Sequence, residues 1–135
     1  TNIGIHFFDM LTWVFGKVQN NTVHLLTENK AAGFLELEKA RIRWFLSLDE
    51  KDLPEQSVSR GQRAFRSIFI DGEEVEYSDG FTELHTLTYK EILAGRGFGL
   101  NDARQSVEIA YNIRNSKISS LTGDYHPYLK KIKNV

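Results

Sequence analysis

The chain contains no cysteine. That excludes disulfides and thiolate metal centres, and no metal site is expected from the sequence. The same absence fits a cytoplasmic protein. No apolar run approaches the roughly 20 residues needed to cross a bilayer, and no signal peptide is visible, so no membrane partner is expected. Neither sign of charge dominates: 17 Lys and Arg against 18 Asp and Glu leave a net charge of −1. Nothing here recommends a nucleic-acid surface. Also missing is a Gly-x-Gly-x-x-Gly following a strand, the fingerprint of a dinucleotide-binding turn. Arg96-Gly97-Phe98-Gly99 follows a helix-like stretch and reads as a connector, so no cofactor-binding residue is expected. What the chain does have is aromatic bulk. Nine Phe, five Tyr and two Trp in 135 residues suffice for the core of one domain.

The first sixteen residues organise the rest. At about 100° per residue, Ile3, Phe7, Phe8, Leu11, Val14 and Phe15 share one broad side of a helix. Asn2, His6, Asp9 and Trp13 fall in a narrow arc on the other. Asn2 and His6 are four residues apart and His6 and Asp9 three apart, so neighbours in that line can touch. Gly16 stands where a helix C′ residue belongs. Two readings of the polar line compete: an ordinary wet face, or a line facing a cleft. Histidine titrates near neutral pH, so in a cleft His6 would transfer protons.

After Gly16 the period shortens. Val18–Thr27 and Ala31–Glu38, joined by the polar turn Glu28-Asn29-Lys30, predict an antiparallel hairpin, with His24 on a strand surface. Arg41 to Asp49 is the clearest strand. Ile42, Trp44, Leu46 and Leu48 share one face, and Arg41, Arg43, Phe45 and Ser47 the other. A phenylalanine between two arginines suggests a face that meets another subunit. Asp71-Gly72 between Phe65–Ile70 and Glu73–Tyr77 predicts a two-residue hairpin turn. Arg60, Arg63 and Arg66 recur every three residues, but an anion-binding row needs a helix there, and Phe65, Ile68 and Ile70 read as strand. A helix capped by Ser78 or Asp79 is expected from about Gly80 to Ala94, with His85 in its second turn. A last long helix, capped by Asn101, runs from Asp102 to about Asn115 and buries Ala103, Val107, Ala110, Tyr111 and Ile113. The tail from Ser116 packs as an arm through Ile118, Leu121, Tyr125, Tyr128 and Leu129. The fold class is α+β: an open, mostly antiparallel sheet with helices on one face.

Asn2-x-Gly4-x-His6-x-x-Asp9, with its aromatic turn and Gly16, resembles a signature of the glucose–fructose oxidoreductase / inositol dehydrogenase family, whose usual pattern begins with Asp. Asn2 in that place resembles the branch acting on UDP-N-acetyl-glucosaminuronic acid in lipopolysaccharide sugar synthesis. Glu76 to Thr86, Tyr89 to Gly99, Ala103-Arg104, Ile109 to Arg114 and the strand Arg41–Leu48 are similar to the same branch. The resemblance runs from Thr1 to about Arg114.

That resemblance implies residues 1–135 as a single C-terminal substrate-binding and oligomerisation domain, without the N-terminal dinucleotide-binding domain and without the family's Glu-Lys-Pro lysine. It implies NAD or NADP in the full-length enzyme, none bound by this chain, and no catalysis by the chain alone. The substrate would be a sugar or UDP-sugar oxidised at a secondary alcohol. His6 would be the catalytic base or its partner, Asn2 and His85 would contact substrate, and homo-oligomers would form through the open sheet face. The alternative class is a non-catalytic domain that assembles through its sheet, with Asn2 and His6 incidental.

Overall fold

The computed structural model describes residues 2–78 and 83–132, with the side chains of Asn2 and Ile3 outside that description. Its contacts divide into two units, residues 1–48 with 98–135, and residues 49–97.

The first unit begins with α1 (Asn2–Phe15), followed by β1 (Val18–Leu26), β2 (Lys30–Leu37) and β3 (Arg41–Ser47) in the order β1-β2-β3, all antiparallel. Gly16 ends α1 at φ +88°, its N–H donating to the Thr12 carbonyl at 3.0 Å. A left-handed residue there closes the helix and frees the chain to start β1. The later elements of this unit are α4 (Leu100–Asn115) and the short α5 (Leu129–Ile132).

The period-two reading of β3 holds over Arg41–Ser47, whereas Leu48, expected on the same face as Trp44, lies beyond the strand and is exposed. Ile42, Trp44 and Leu46 face the helices, and with Val23, Leu35, Leu37, Phe8, Leu11, Ile109 and Ile113 they make the core. Phe8 meets Trp44 edge-to-face at 5.4 Å, a favoured aromatic geometry. Gly33 lets Trp44 cross β2: a Cβ there would lie 2.7 Å from Trp44 Cζ2.

Helix α4 turns a different face to the sheet than expected. Ser106, Ile109 and Ile113 are buried, while Val107 and Tyr111 are exposed. Its cap is also shifted. Gly99 precedes the helix, and the Asp102 carboxylate accepts the Gly99 N–H at 2.7 Å, so Asn101 lies inside the first turn. An acidic side chain there also suits the positive end of the helix.

The opposite face of the sheet carries the tail. Ser119 N–H donates to the Val23 carbonyl at 2.8 Å. Asp124 accepts from Arg41 at 2.6 Å and from Arg43 at 2.7 Å. Phe45 stacks on His126 and tilts against Tyr128. Leu129 is fully buried, whereas Ile118 is exposed. The face carrying Phe45 and both arginines is therefore occupied by this chain's own C-terminal segment. His24, expected on a strand surface, is buried at 3% exposure with its ring edge-on to Tyr125. The β-bulge between Val23 and Leu25 makes it the extra residue of the ladder.

The second unit holds a 3₁₀ turn (Glu50–Asp52), α2 (Glu55–Ser59), β4 (Ser67–Ile70), β5 (Glu73–Glu76) and α3 (Leu84–Leu93). Asp71 and Gly72 have φ of 51° and 90°, the double left-handed turn that matches strand twist. β4 and β5 form a sheet of their own instead of extending the first. Ser78 does not cap α3, whose N-cap residue is Glu83. The Ser78 Oγ accepts the Arg66 N–H at 3.0 Å and its carbonyl accepts Arg66 Nη1 at 3.1 Å, which clamps the hairpin base. Asp79, the other expected cap, lies outside the described residues.

Candidate active-site helix

Helix α1 shows why glycine and histidine are two residues apart in its motif. Gly4, Phe8, Leu11 and Phe15 follow the i, i+4, i+7, i+11 pattern of one helical stripe. Gly4, Phe8 and Leu11 are buried and Phe15 is half-buried. At Gly4 the helix touches β3: a Cβ would stand 2.7 Å from Leu46 Cδ1 and 3.4 Å from Phe8 Cε2. The glycine is a contact residue, and a side chain there would require Leu46 to shift.

His6 is about 200° around the helix from Gly4, and it is exposed. Asp9 and Trp13, the next members of the line, are exposed too, Trp13 at 84%. So the sheet contact made through Gly4 fixes the direction in which the imidazole is displayed. Val14, expected on the buried side, is 48% exposed, because a four-residue stripe already fills the contact with the sheet. Thr12 Oγ donates to the Asp9 carbonyl at 3.0 Å within the helix.

The backbone of Asn2 belongs to α1, and its side chain lies outside the description. His85 is exposed in the first turn of α3, in the second unit. Asn2 and His6 thus share one helix, one turn apart, and His85 belongs to another body. Arg66 is taken up by the hairpin clamp, while Arg60 and Arg63 are exposed.

The strongest electrostatic feature lies elsewhere, on the tail. The hydrogen bond from Arg43, together with the charges of Arg41 and Arg43, holds the Asp124 carboxyl below the usual carboxylate range. Burial and then the Arg43 charge push the His126 imidazole below its ordinary value. In the second unit, burial raises the Tyr77 phenol, against an opposing pull from Arg66. Sequence reasoning missed the Asp124 clasp. Its partners are 81 and 83 positions away, and nothing local marks them.

The glycines at 97 and 99 lie between α3 and α4, whereas a phosphate-binding turn needs them between a strand and a helix. Among the described residues no group of three His, Asp or Glu could hold a metal ion, and no helix is long and apolar enough to cross a membrane.

No protein-family model matches the sequence. Solved structures do. One is the WlbA (WbpB) dehydrogenase from Thermus thermophilus in complex with NAD and alpha-ketoglutarate. It is 50% identical with a TM-score of 0.89, over 95% of this chain and 42% of that one. Another is the WlbA (WbpB) dehydrogenase of the same organism in complex with NAD and UDP-GlcNAcA. It is 48% identical with a TM-score of 0.88, over 95% of this chain and 41% of that one. This chain therefore spans less than half the length of the chains it matches.

Proposed function

We propose, from a likeness to WlbA (WbpB) dehydrogenase of 48% and 50% identity over 95% of this chain, that the chain belongs to that dehydrogenase family and is the substrate-side, C-terminal domain of an enzyme oxidising a secondary alcohol of a UDP-linked sugar. The pathway is lipopolysaccharide or O-antigen sugar synthesis, in the cytoplasm. The observation that carries this reading is the imidazole of His6, displayed to solvent by a helix whose glycine is seated on the sheet, in a chain half identical to a dehydrogenase held with UDP-GlcNAcA.

The chain's share of the chemistry is the proton. A sugar hydroxyl becomes a carbonyl only if its proton leaves, and a base with a pKa near neutral removes it at least cost. His6 is that base, or the partner of a lysine in the remainder of the enzyme. Binding the nicotinamide falls to residues outside this chain, so the isolated domain neither binds NAD nor turns over.

Asn2 hydrogen-bonds the sugar through its carboxamide, which both donates and accepts. An amide there suits a uronate, because an aspartate would set two like charges side by side. His85 contacts the substrate from α3. Copies of the enzyme associate through the side of the sheet that bears Phe45, with the tail residues as part of the contact.

The test is His6→Asn in the full-length enzyme. Loss of a general base lowers turnover about 10²- to 10⁴-fold with the melting temperature little changed, since the side chain is exposed. Undiminished turnover overturns the assignment and favours the non-catalytic interaction domain. Asn2→Asp should raise KM for the uronate more than for the corresponding neutral sugar nucleotide.

A further inference from the structure

We infer that Leu46 is a positioning residue for His6: seated under Gly4, it sets the tilt of α1 and with it the place of the imidazole. The inference rests on the reading of His6 as the base.

Helix α1 is held differently at its two ends. At the C-terminal end the backbone is tied: Lys39 N–H donates to the Phe15 carbonyl at 3.0 Å, and Glu38 N–H to the Lys17 carbonyl at 3.0 Å. Near the N-terminal end the support is steric. Gly4 lies so close to Leu46 that a Cβ would stand 2.7 Å from Cδ1. Phe8, one turn on, meets Trp44. The central strand is cut to match. Leu46 pairs with Ala31 and Trp44 with Gly33, and residues opposite one another in a ladder share a face. β2 thus carries its small residues, Ala31 and Gly33, on the side where α1 begins, and Leu35 and Leu37 toward the tied end. The floor is low under the first half of α1, and side chains of β3 rise to meet it.

A helix tied at one end and resting on a side chain at the other tilts with the height of that side chain. His6 is two residues from Gly4, about 3 Å further along the axis, so it moves with the first turn. A misplacement of about 1 Å at a reacting group costs about 10²-fold in rate. All of these residues lie within residues 1–48, in the first unit.

The experiment measures kcat of the full-length enzyme. Leu46 clears an alanine methyl by turning aside, but the two branches of a valine also face Phe8 Cε2, 3.4 Å from the Cβ position. Gly4→Val should therefore lift the first turn and lower kcat about tenfold or more. Adding Leu46→Ala, which lowers the support, should restore about fivefold of that loss. In a His6→Asn background Gly4→Val should change the residual rate by less than about twofold, since no imidazole remains to be misplaced. Leu46→Val shortens the support by one methylene and leaves α1 unaltered. It should lower kcat about threefold with the same dependence on His6, and it carries the test if Gly4→Val does not fold. Full kcat in the variant tested, no restoration by Leu46→Ala, or an effect of equal size without His6 overturns the inference and leaves Gly4 and Leu46 as packing residues only. Undiminished turnover in His6→Asn is a different outcome: it removes the reading of His6 and this inference together.

Discussion

The two units of this chain are written in the same kinds of residue and use them differently. Residues 1–48 and 98–132 bury Phe8, Val23, Leu35, Trp44, Ile109 and Leu129 around one sheet. In residues 49–97 the one buried residue among those described is Ser57. There Phe69, Val75, Leu87, Ile92 and Leu93 are all about half exposed or more. Helix α3 buries none of its ten residues. A helix that buries nothing gains little from packing, and isolated helices of that length are marginal in water. The first unit is therefore held by its core. The second is held by local geometry: a left-handed turn, an arginine clamp on the hairpin, and the Arg96–Glu91 ion pair at 2.7 Å.

The sharpest way to break that comparison is truncation on each side of it. Leu35→Ala removes a fully buried side chain from the sheet and should destabilise the chain by about 2–5 kcal/mol. Leu87→Ala removes the same atoms from an exposed site on α3 and should fall within about 0.5 kcal/mol of neutral. Urea unfolding followed by tryptophan fluorescence measures the first, and circular dichroism the second. A loss above about 1.5 kcal/mol for Leu87→Ala would mean that the second unit has a core after all.

The same contrast decides what was legible in the sequence. Where burial imposes a period, the reading held: α1 with its Gly16 stop, the β1–β2 hairpin, and the two faces of β3 within Arg41–Ser47, though not Leu48 beyond it. The Asp71-Gly72 turn was legible because its backbone needs residues that tolerate positive φ. Gly4 went unread as a packing residue, since a glycine adds nothing to a hydropathy pattern; its steric role exists only once β3 is folded beneath it. The burying face of α4 was misjudged because Val107 and Tyr111 are apolar and yet stay exposed, whereas Ser106 is small enough to be buried with its hydroxyl bonded to the Ala103 carbonyl. The tail clasp joins residues more than 80 positions apart, beyond any local pattern. As to the site, the stripe of His6, Asp9 and Trp13 was legible from periodicity; its bearing on a sugar came only from the resemblance.

An intermediate effect sharpens the account of the second unit. Gly72 sits at φ +90° with open space around it. Alanine there meets no neighbour but must adopt a left-handed conformation, at about 1–2 kcal/mol. Because local geometry holds this unit, Gly72→Ala should loosen β4–β5 while leaving the first unit intact. Amide hydrogen exchange should rise at residues 67–76 and stay constant at residues 30–37. Equal loss in both units would show that they unfold together and that the division is not energetic.

The smallest effect is confined to the tail and depends on pH. His126 is held below its ordinary value of about 6.5, first by burial and then by the Arg43 charge, and its Nδ1 accepts the Tyr128 N–H at 3.2 Å. A proton on Nδ1 would end that bond and set a cation beside Arg43. A released tail takes up this proton at a higher pH than a docked one. Docking is thus favoured in full above about pH 6.5 and weakens as pH falls toward the docked-state value. Asp124 works in the same direction at lower pH. Its depressed value stabilises docking above about pH 4, and that contribution is lost as pH falls through the docked-state value. Exchange of the Ser119 amide, which is bonded to Val23, should therefore lose protection in two steps on acidification, after correction for intrinsic rates. His126→Phe should keep the stacking on Phe45 and remove the upper step alone. A single step near pH 4 in the unaltered chain would mean that the carboxylate clasp, without the histidine, governs the tail.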